Sequence, residues 1–378
     1  MTSVAGQRTG RLELTGLTGI RALAAGWVVV EHFRLVLYGL FPGTEAVLGP
    51  WIRSGFLGVE VFFVLSGFII AYNYADRFAA FSGAGYRAFL ELRFARIYPV
   101  HLVTLLAMLA LVLGARALGV ALSADGGYTP LSFAVNLLNA QAVFDLPAWN
   151  APAWSISAEF AAYLAFPLIA IGLVRLRTAS AGFVAAGLLV VVGAAAMLAA
   201  GALVIDSPTG FLLVWLRIGF EFTAGCCLYA GWRWLDGRRV GWRWDATAAL
   251  SVLALGVVLG IVGVEGTQPL VTLPVIALFV LACAGATGPV GRLLGSRLLL
   301  WGSASPSWPA STRSSSSREG PATTSWRSRP ARSSGRSSPG GLGEPPSARS
   351  RARVDPVAPD ATRAPSAPRG VPPQGLEP

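Results

Sequence analysis

The chain has 378 residues, 54% of them hydrophobic and only 13% charged, where a soluble domain carries about a quarter charged residues. An ordinary cytosolic enzyme, a secreted disulfide scaffold and a disordered chain are therefore excluded for most of its length. All 30 basic residues are Arg; 11 of them lie from position 301 onward with 5 acidic residues, so the net charge of +11 is no argument for a nucleic-acid partner.

Several apolar stretches reach or approach the roughly 20 residues that cross a bilayer as helix. They predict an all-α membrane bundle with helices near 17–40, 56–75, 97–121, 156–174, 181–205, 211–232, 246–264 and 270–288. A ninth begins around Leu298 and stops. The stretch 131–147 is interrupted by Asn136, Asn139, Gln141, Asp145 and Pro147, which predicts an interfacial or re-entrant segment rather than a span.

Charge placement gives a separate reading, because cytoplasmic loops collect Arg. Arg8 and Arg11 precede the first helix, and Arg77, Arg87, Arg93 and Arg96 lie between the second and third. Arg175 and Arg177 follow the fourth, Arg233, Arg238, Arg239 and Arg243 the sixth, and Arg292 and Arg297 the eighth. An eight-span bundle puts all of these on one side and predicts a cytoplasmic amino terminus (1–13). Glu45, Asp125, Asp206 and Glu265 fall on the other side, with Arg53 the main exception. The first helix carries Arg21, Glu31, His32 and Arg34 and is too polar for a removable signal peptide.

Polar groups within spans are costly and mark function by default. In the first helix, Arg21 and His32 are eleven residues apart, which puts them within roughly 20° of one face and about 16 Å apart along the axis. That spacing predicts an Arg near the cytoplasmic surface and a His near the midplane facing one cavity. The imidazole can act as general base on a hydroxyl; its alternative role is an interhelical hydrogen bond. Adjacent Glu31 lies about 100° around the helix and need not be its partner.

The second helix contains Phe56 to Phe68, where Gly58, Ser66 and Gly67 fit close helix packing and Glu60 puts a carboxylate in the outer half. In Glu91 to Pro99, Arg93 and Arg96 share a helical face at i and i+3. Two guanidinium forks there suit phosphate capture, or ordinary anchoring to anionic lipid. His101, beside Pro99, reads as structural. In Asn150 to Phe160, Trp154 fits an interfacial belt, while Glu159 lies inside the fourth helix, where it can orient substrate or pair with His32. In the sixth helix Arg217 and Glu221 at i and i+4 form a neutralising pair. Cys226, Cys227 and Cys283 show neither zinc-ligand spacing nor a disulfide framework, so no metal is expected.

Beyond Trp301 the composition turns to Ser, Arg, Pro, Ala and Gly. The tail 302–378 is expected to be disordered. A shifted reading frame is the alternative, since the change falls inside a nascent hydrophobic segment.

Four segments together resemble the acyltransferase-3 family of integral membrane enzymes: Arg, ten residues, His (Arg21, His32); Phe-Phe-x-x-Ser-Gly (Phe62, Phe63, Ser66, Gly67); Arg-x-x-Arg (Arg93, Arg96); and Trp-Ser-x-x-x-Glu (Trp154, Ser155, Glu159). The resemblance covers about residues 14–300 and makes 14–301 the transmembrane acyltransferase-like domain. It implies a bundle in which eight of ten family helices are present, and no match to the family's closing Ser-Tyr-x-x-Tyr-x-x-His-like segment is found. It also implies a multi-pass enzyme of a bacterial inner (cytoplasmic) membrane that moves an acyl group, often acetyl, from acyl-CoA to a hydroxyl of a glycan or sugar-bearing small molecule. Acyl-CoA is then a substrate, with no permanently bound cofactor. The resemblance further implies His32 as catalytic, with Glu159 or Glu60 orienting imidazole or acceptor, and Arg21, Arg93 and Arg96 on the donor side. An inactive member of the family and, further off, a multipass transporter are the other readings.

Overall fold

The computed structural model describes residues 14–122, 127–199, 211–235, 241–262 and 268–302. The expected amino-terminal segment 1–13 and the tail from 303 onward lie outside the described residues. Among the described residues the chain is helical with no strand: α1 (Thr15–His32), α2 (Arg34–Leu40), α3 (Gly43–Arg53), α4 (Leu57–Tyr74), α5 (Gly83–Ala117), α6 (Pro130–Leu137), α7 (Ala153–Leu173), α8 (Ala179–Ala199), α9 (Phe211–Trp232), α10 (Trp242–Val262), α11 (Gln268–Gly285), α12 (Pro289–Leu294) and α13 (Arg297–Gly302).

A helix stands at each of the eight expected places, the sixth with the expected bounds (Phe211–Trp232) and the others with different ones. By length and apolar character, five runs among the described residues can cross a membrane: Gly43–Phe78, Gly83–Ala117, Ala153–Leu173, Ala179–Ala199 and Trp242–Ile261. The expected first span is not one straight helix. It breaks at Phe33, and α2 leaves α1 at 68°. Side chains also bond carbonyl oxygens at the break: His32 Nδ1 bonds the Val28 carbonyl at 2.8 Å and Arg34 Nη1 donates to that of Glu31 at 3.2 Å. Side chains inserted into the helical ladder are a recognised cause of a sharp bend.

The third helix starts earlier than its apolar pattern suggested. Ser82 caps α5, its hydroxyl accepting from the Gly85 amide at 3.0 Å, and the helix then runs 35 residues through Arg93 and Arg96 to Ala117. Those two Arg are therefore helical rather than part of a connecting loop. The stretch 131–147 forms short α6, opened by a Thr129/Ser132 capping box with Pro130 at its start. It then turns through Asn139 and Asp145 at φ of 51° and 52°. Side chains satisfy this irregular backbone: Asn136 Nδ2 donates to Pro147 O at 2.9 Å, and Ser157 Oγ to Asn139 O at 2.9 Å. Such satisfaction lets a non-spanning segment lie buried.

At the centre, α4 and α9 pack backbone to backbone. A Cβ on Gly67 would collide with the Phe222 carbonyl, and one on Gly225 with that of Val64, the close approach that small residues allow between membrane helices. α8 covers another side of α9, α10 pairs with α11, and α1 lies across α4. The core of α4 and α9 is apolar and aromatic, including Phe68, Phe222 and Trp232. Outward positions on α5 and α8 are also apolar: Val103, Leu111, Val184 and Val191 are each more than half exposed. A protein apolar inside and outside is one built for lipid.

Candidate active site

Helical periodicity brings one face each of α4, α5 and α7 to a common cavity of about 290 Å³, which Arg21 of α1 also lines. From α4 come Ser66, Ile69 and Ile70; from α5, Arg93, Arg96, Ile97 and Val100; from α7, Ile156, Glu159 and Tyr163. Each set follows the i, i+3, i+4 or i+7 spacing that shares a helix face.

Glu159 anchors the polar floor. Ser66 Oγ donates to Glu159 Oε1 at 2.5 Å, Tyr163 OH donates to the same oxygen, and the two hydroxyl oxygens are 3.2 Å apart. Arg93 Nη2 donates to Tyr74 OH at 2.9 Å, and its guanidinium carbon lies 5.2 Å from the Tyr74 ring centroid and 6.0 Å from that of Phe89. This holds the planar fork by stacking and hydrogen bonding together. Arg93 Nε is buried and has no hydrogen-bond partner among the described residues. Arg21 has Arg96, Glu159 and Arg93 as charged neighbours. Three guanidinium groups thus face one carboxylate, an excess of positive charge in a partly enclosed space. Such a site draws an anion with several acceptor oxygens.

The expected partners of the cavity divide. Arg21, Arg93, Arg96 and Glu159 meet there; His32 and Glu60 are not among its lining residues. His32 ends α1 with its side chain 44% exposed, and its Nδ1 lies 2.9 Å from Glu31 Oε2. Glu31 is its partner after all. Both atoms facing Nδ1, the Val28 carbonyl and the Glu31 carboxylate, are acceptors. Nδ1 therefore carries a proton, an assignment made from the partners. Glu31 is buried and also ion-paired to Arg34. The imidazole is thereby oriented by a buried carboxylate.

Glu60, in the first turn of α4, is buried against Arg217 of α9. Arg217 Nε donates to Glu60 Oε2 at 3.3 Å, and Nη2 donates to Oε1. The expected Arg217–Glu221 contact is present but longer, at 3.8 Å. Arg217 also stacks on Trp154, with its guanidinium carbon 5.4 Å from the ring centroid. His101 is buried, its Nε2 2.6 Å from the Asn136 carbonyl oxygen, in keeping with a structural role.

Sequence reasoning treated Ser66 as a packing residue and did not single out Tyr74 or the Tyr163 hydroxyl. Tyr163 was within reach of it, since Glu159 and Tyr163 stand at i and i+4. The pairing of Ser66 with Glu159 has no such local signal.

Comparison with known proteins gives three matches. The model of the family described as "Acyltransferase domain", Acyl_transf_3, matches residues 14–305. Acyltransferase MdmB of Streptomyces mycarofaciens is 32% identical over 161 residues, 42% of this chain and 39% of that protein. Protein 2 in the picA locus of Rhizobium radiobacter is 31% identical over 156 residues, 38% of this chain and 75% of that protein. No solved structure matches the chain.

Proposed function

This chain belongs to the Acyl_transf_3 family of membrane acyltransferases, and from that premise we propose that it moves an acyl group, acetyl in the first instance, from acyl-CoA to a hydroxyl of a carbohydrate or sugar-bearing acceptor. The observation that carries the reading is the convergence of Arg21, Arg93 and Arg96 on one cavity, with a buried Arg93 Nε that has no hydrogen-bond partner among the described residues. Phosphate oxygens supply the acceptors this cluster lacks. Acyl-CoA is a consumed substrate in this reading, and nothing need stay bound between turnovers.

From Arg21 to His32, α1 rises about 16 Å. A donor with its phosphates among the guanidinium groups can extend its pantetheine arm toward His32. His32 Nε2 then takes the proton of the acceptor hydroxyl as that oxygen attacks the thioester carbonyl. The C–S bond breaks, and the imidazolium returns its proton to the departing sulfur. Glu31 keeps the ring oriented through the transfer. Glu159 holds Ser66 and Tyr163 at the cavity floor and offsets part of the positive charge before the donor arrives.

The apolar exterior and the family support a bilayer location; we place the enzyme in the inner (cytoplasmic) membrane with its amino terminus in the cytoplasm, where the donor is made and where the Arg-rich connections belong. The test is transfer of labelled acetyl from acetyl-CoA to sugar acceptors by purified full-length protein, wild type against His32→Ala. Loss of transfer in the variant is expected. Equal transfer by both removes His32 from the mechanism, and a well-folded wild type that neither binds coenzyme A nor transfers acetyl favours the inactive reading.

A further inference from the structure

We infer that Arg217 is a positioning residue for the donor cavity, a buried brace on α9 that holds α4 and α7 in the register where Ser66 meets Glu159; this rests on the donor-site reading above. Arg217 is 3% exposed, and a guanidinium so deep in a membrane helix requires partners. Besides Glu221 on its own helix, it has partners on two other helices. Glu60 on α4 accepts both the Nε and Nη2 protons, and the guanidinium carbon lies over the Trp154 ring at the start of α7, 5.4 Å from its centroid.

Each gripped residue sits a short way along its helix from a cavity residue. Glu60 precedes Ser66 by six residues, about 9 Å of rise, and Trp154 precedes Glu159 by five, about 7.5 Å. Both α4 and α7 pack on α9, so the brace works from the helix they share. The Ser66 to Glu159 bond joins the two at one end and the Arg217 grip at the other, with the Phe63 and Trp154 rings 6.1 Å apart between. Arg suits this role because one planar group can bond a carboxylate with two N–H groups and stack on an indole at once; Lys offers a point charge without the plane. If the grip is lost, α7 is free to shift against α4, and the error appears at the Glu159 floor facing Arg21 and Arg96.

A merely structural ion pair would change folding and leave donor affinity alone, so the two roles separate by kinetics. Arg217→Lys and the paired Arg217→Met with Glu60→Met are prepared as full chains, the pair because apolar isosteres of a buried ion pair commonly keep a protein folded. The readouts are KM and kcat for acetyl-CoA, direct coenzyme A binding, and thermal unfolding, beside Arg93→Ala as reference. The expected result is a donor KM raised by about tenfold or more in folded protein, the scale of loss that small misplacements cause, with kcat much less affected. A folded paired variant with wild-type donor KM overturns the inference. If the pair does not fold, Arg217→Lys decides by the same criterion. An unchanged KM in Arg93→Ala instead overturns the donor-site reading, and the inference with it; a raised KM there with no change at Arg217 removes the brace alone.

Discussion

Ser66 and Glu159, 93 positions apart in the chain, are joined by a hydrogen bond of 2.5 Å that ties α4 to α7. It gives the carboxylate a fixed place opposite three guanidinium groups, with the Tyr163 hydroxyl on the same oxygen. The floor of the cavity is thereby a single polar unit, and its charge is adjustable by one residue.

Glu159→Gln removes the one negative charge lining the cavity while keeping a carbonyl for the two hydroxyls. Coenzyme A is expected to bind several-fold tighter, with a steeper dependence on salt. Calorimetry at two ionic strengths checks this; weaker binding would mean that the carboxylate itself accepts a hydrogen bond from the donor. Glu159→Ala is expected to be less stable as well, by about 1–3 kcal/mol, because two hydroxyls lose their acceptor.

Arg93→Ala is expected to raise the donor KM. Hydrogen bonds to charged groups contribute about 1.5–3 kcal/mol, roughly ten- to a hundredfold at 1.4 kcal/mol per decade. Arg93→Lys restores the charge without the fork or its seat on Tyr74, so recovery should be partial. Steady-state kinetics over the series decides, and identical KM values for Lys and Arg would show that charge alone matters.

At the end of α1, His32→Ala is expected to cost about a hundred- to ten-thousandfold in turnover, the usual contribution of a general base. Glu31→Gln should lose part of that, because the ring keeps its Val28 carbonyl but not its carboxylate. Turnover numbers at saturating acetyl-CoA measure both. Full activity in Glu31→Gln would make the Glu31 to His32 contact a feature of the helix break alone.

Asp245 supplies a separate, stability-only prediction. From the first turn of α10 it accepts the Thr287 and Gly288 amides on Oδ2 at 3.0 and 2.7 Å, and the Gly291 amide on Oδ1 at 2.9 Å. It thus caps α12 from another helix. Asp245→Ala leaves these amides without their acceptor and is expected to cost about 2 kcal/mol or more. A lower unfolding temperature in detergent, with donor KM unchanged, is the expected result; an unshifted transition would show that solvent replaces the cap.

Much was legible in the residues before any tertiary contact was known. Apolar runs placed the helices, since exclusion of charge over some 20 residues is a property of local sequence. Spacing put Arg93 with Arg96 on one face, and motif order pointed to the family. Arg21, Arg93, Arg96 and Glu159 do share one cavity. The same local logic failed where side chains act on the backbone, as at the break after His32, and it extended no apolar pattern back to Gly83, where a Ser82 cap begins α5.

Which charged group meets which was decided only by packing. Periodicity tells which way a residue faces and nothing about what will stand opposite, so it leaves Glu60 open between imidazole and acceptor, and it finds the Arg217–Glu221 contact, present at 3.8 Å, but not the closer one to Glu60. Close approach of α4 and α9 at Gly67 and Gly225 instead set Glu60 against Arg217 across 157 positions, and burial of Glu31 beside Gly55 turned it to His32. Helix formation is a short-range free energy written in consecutive residues; ion pairing in lipid depends on distances that exist only once the helices have assembled.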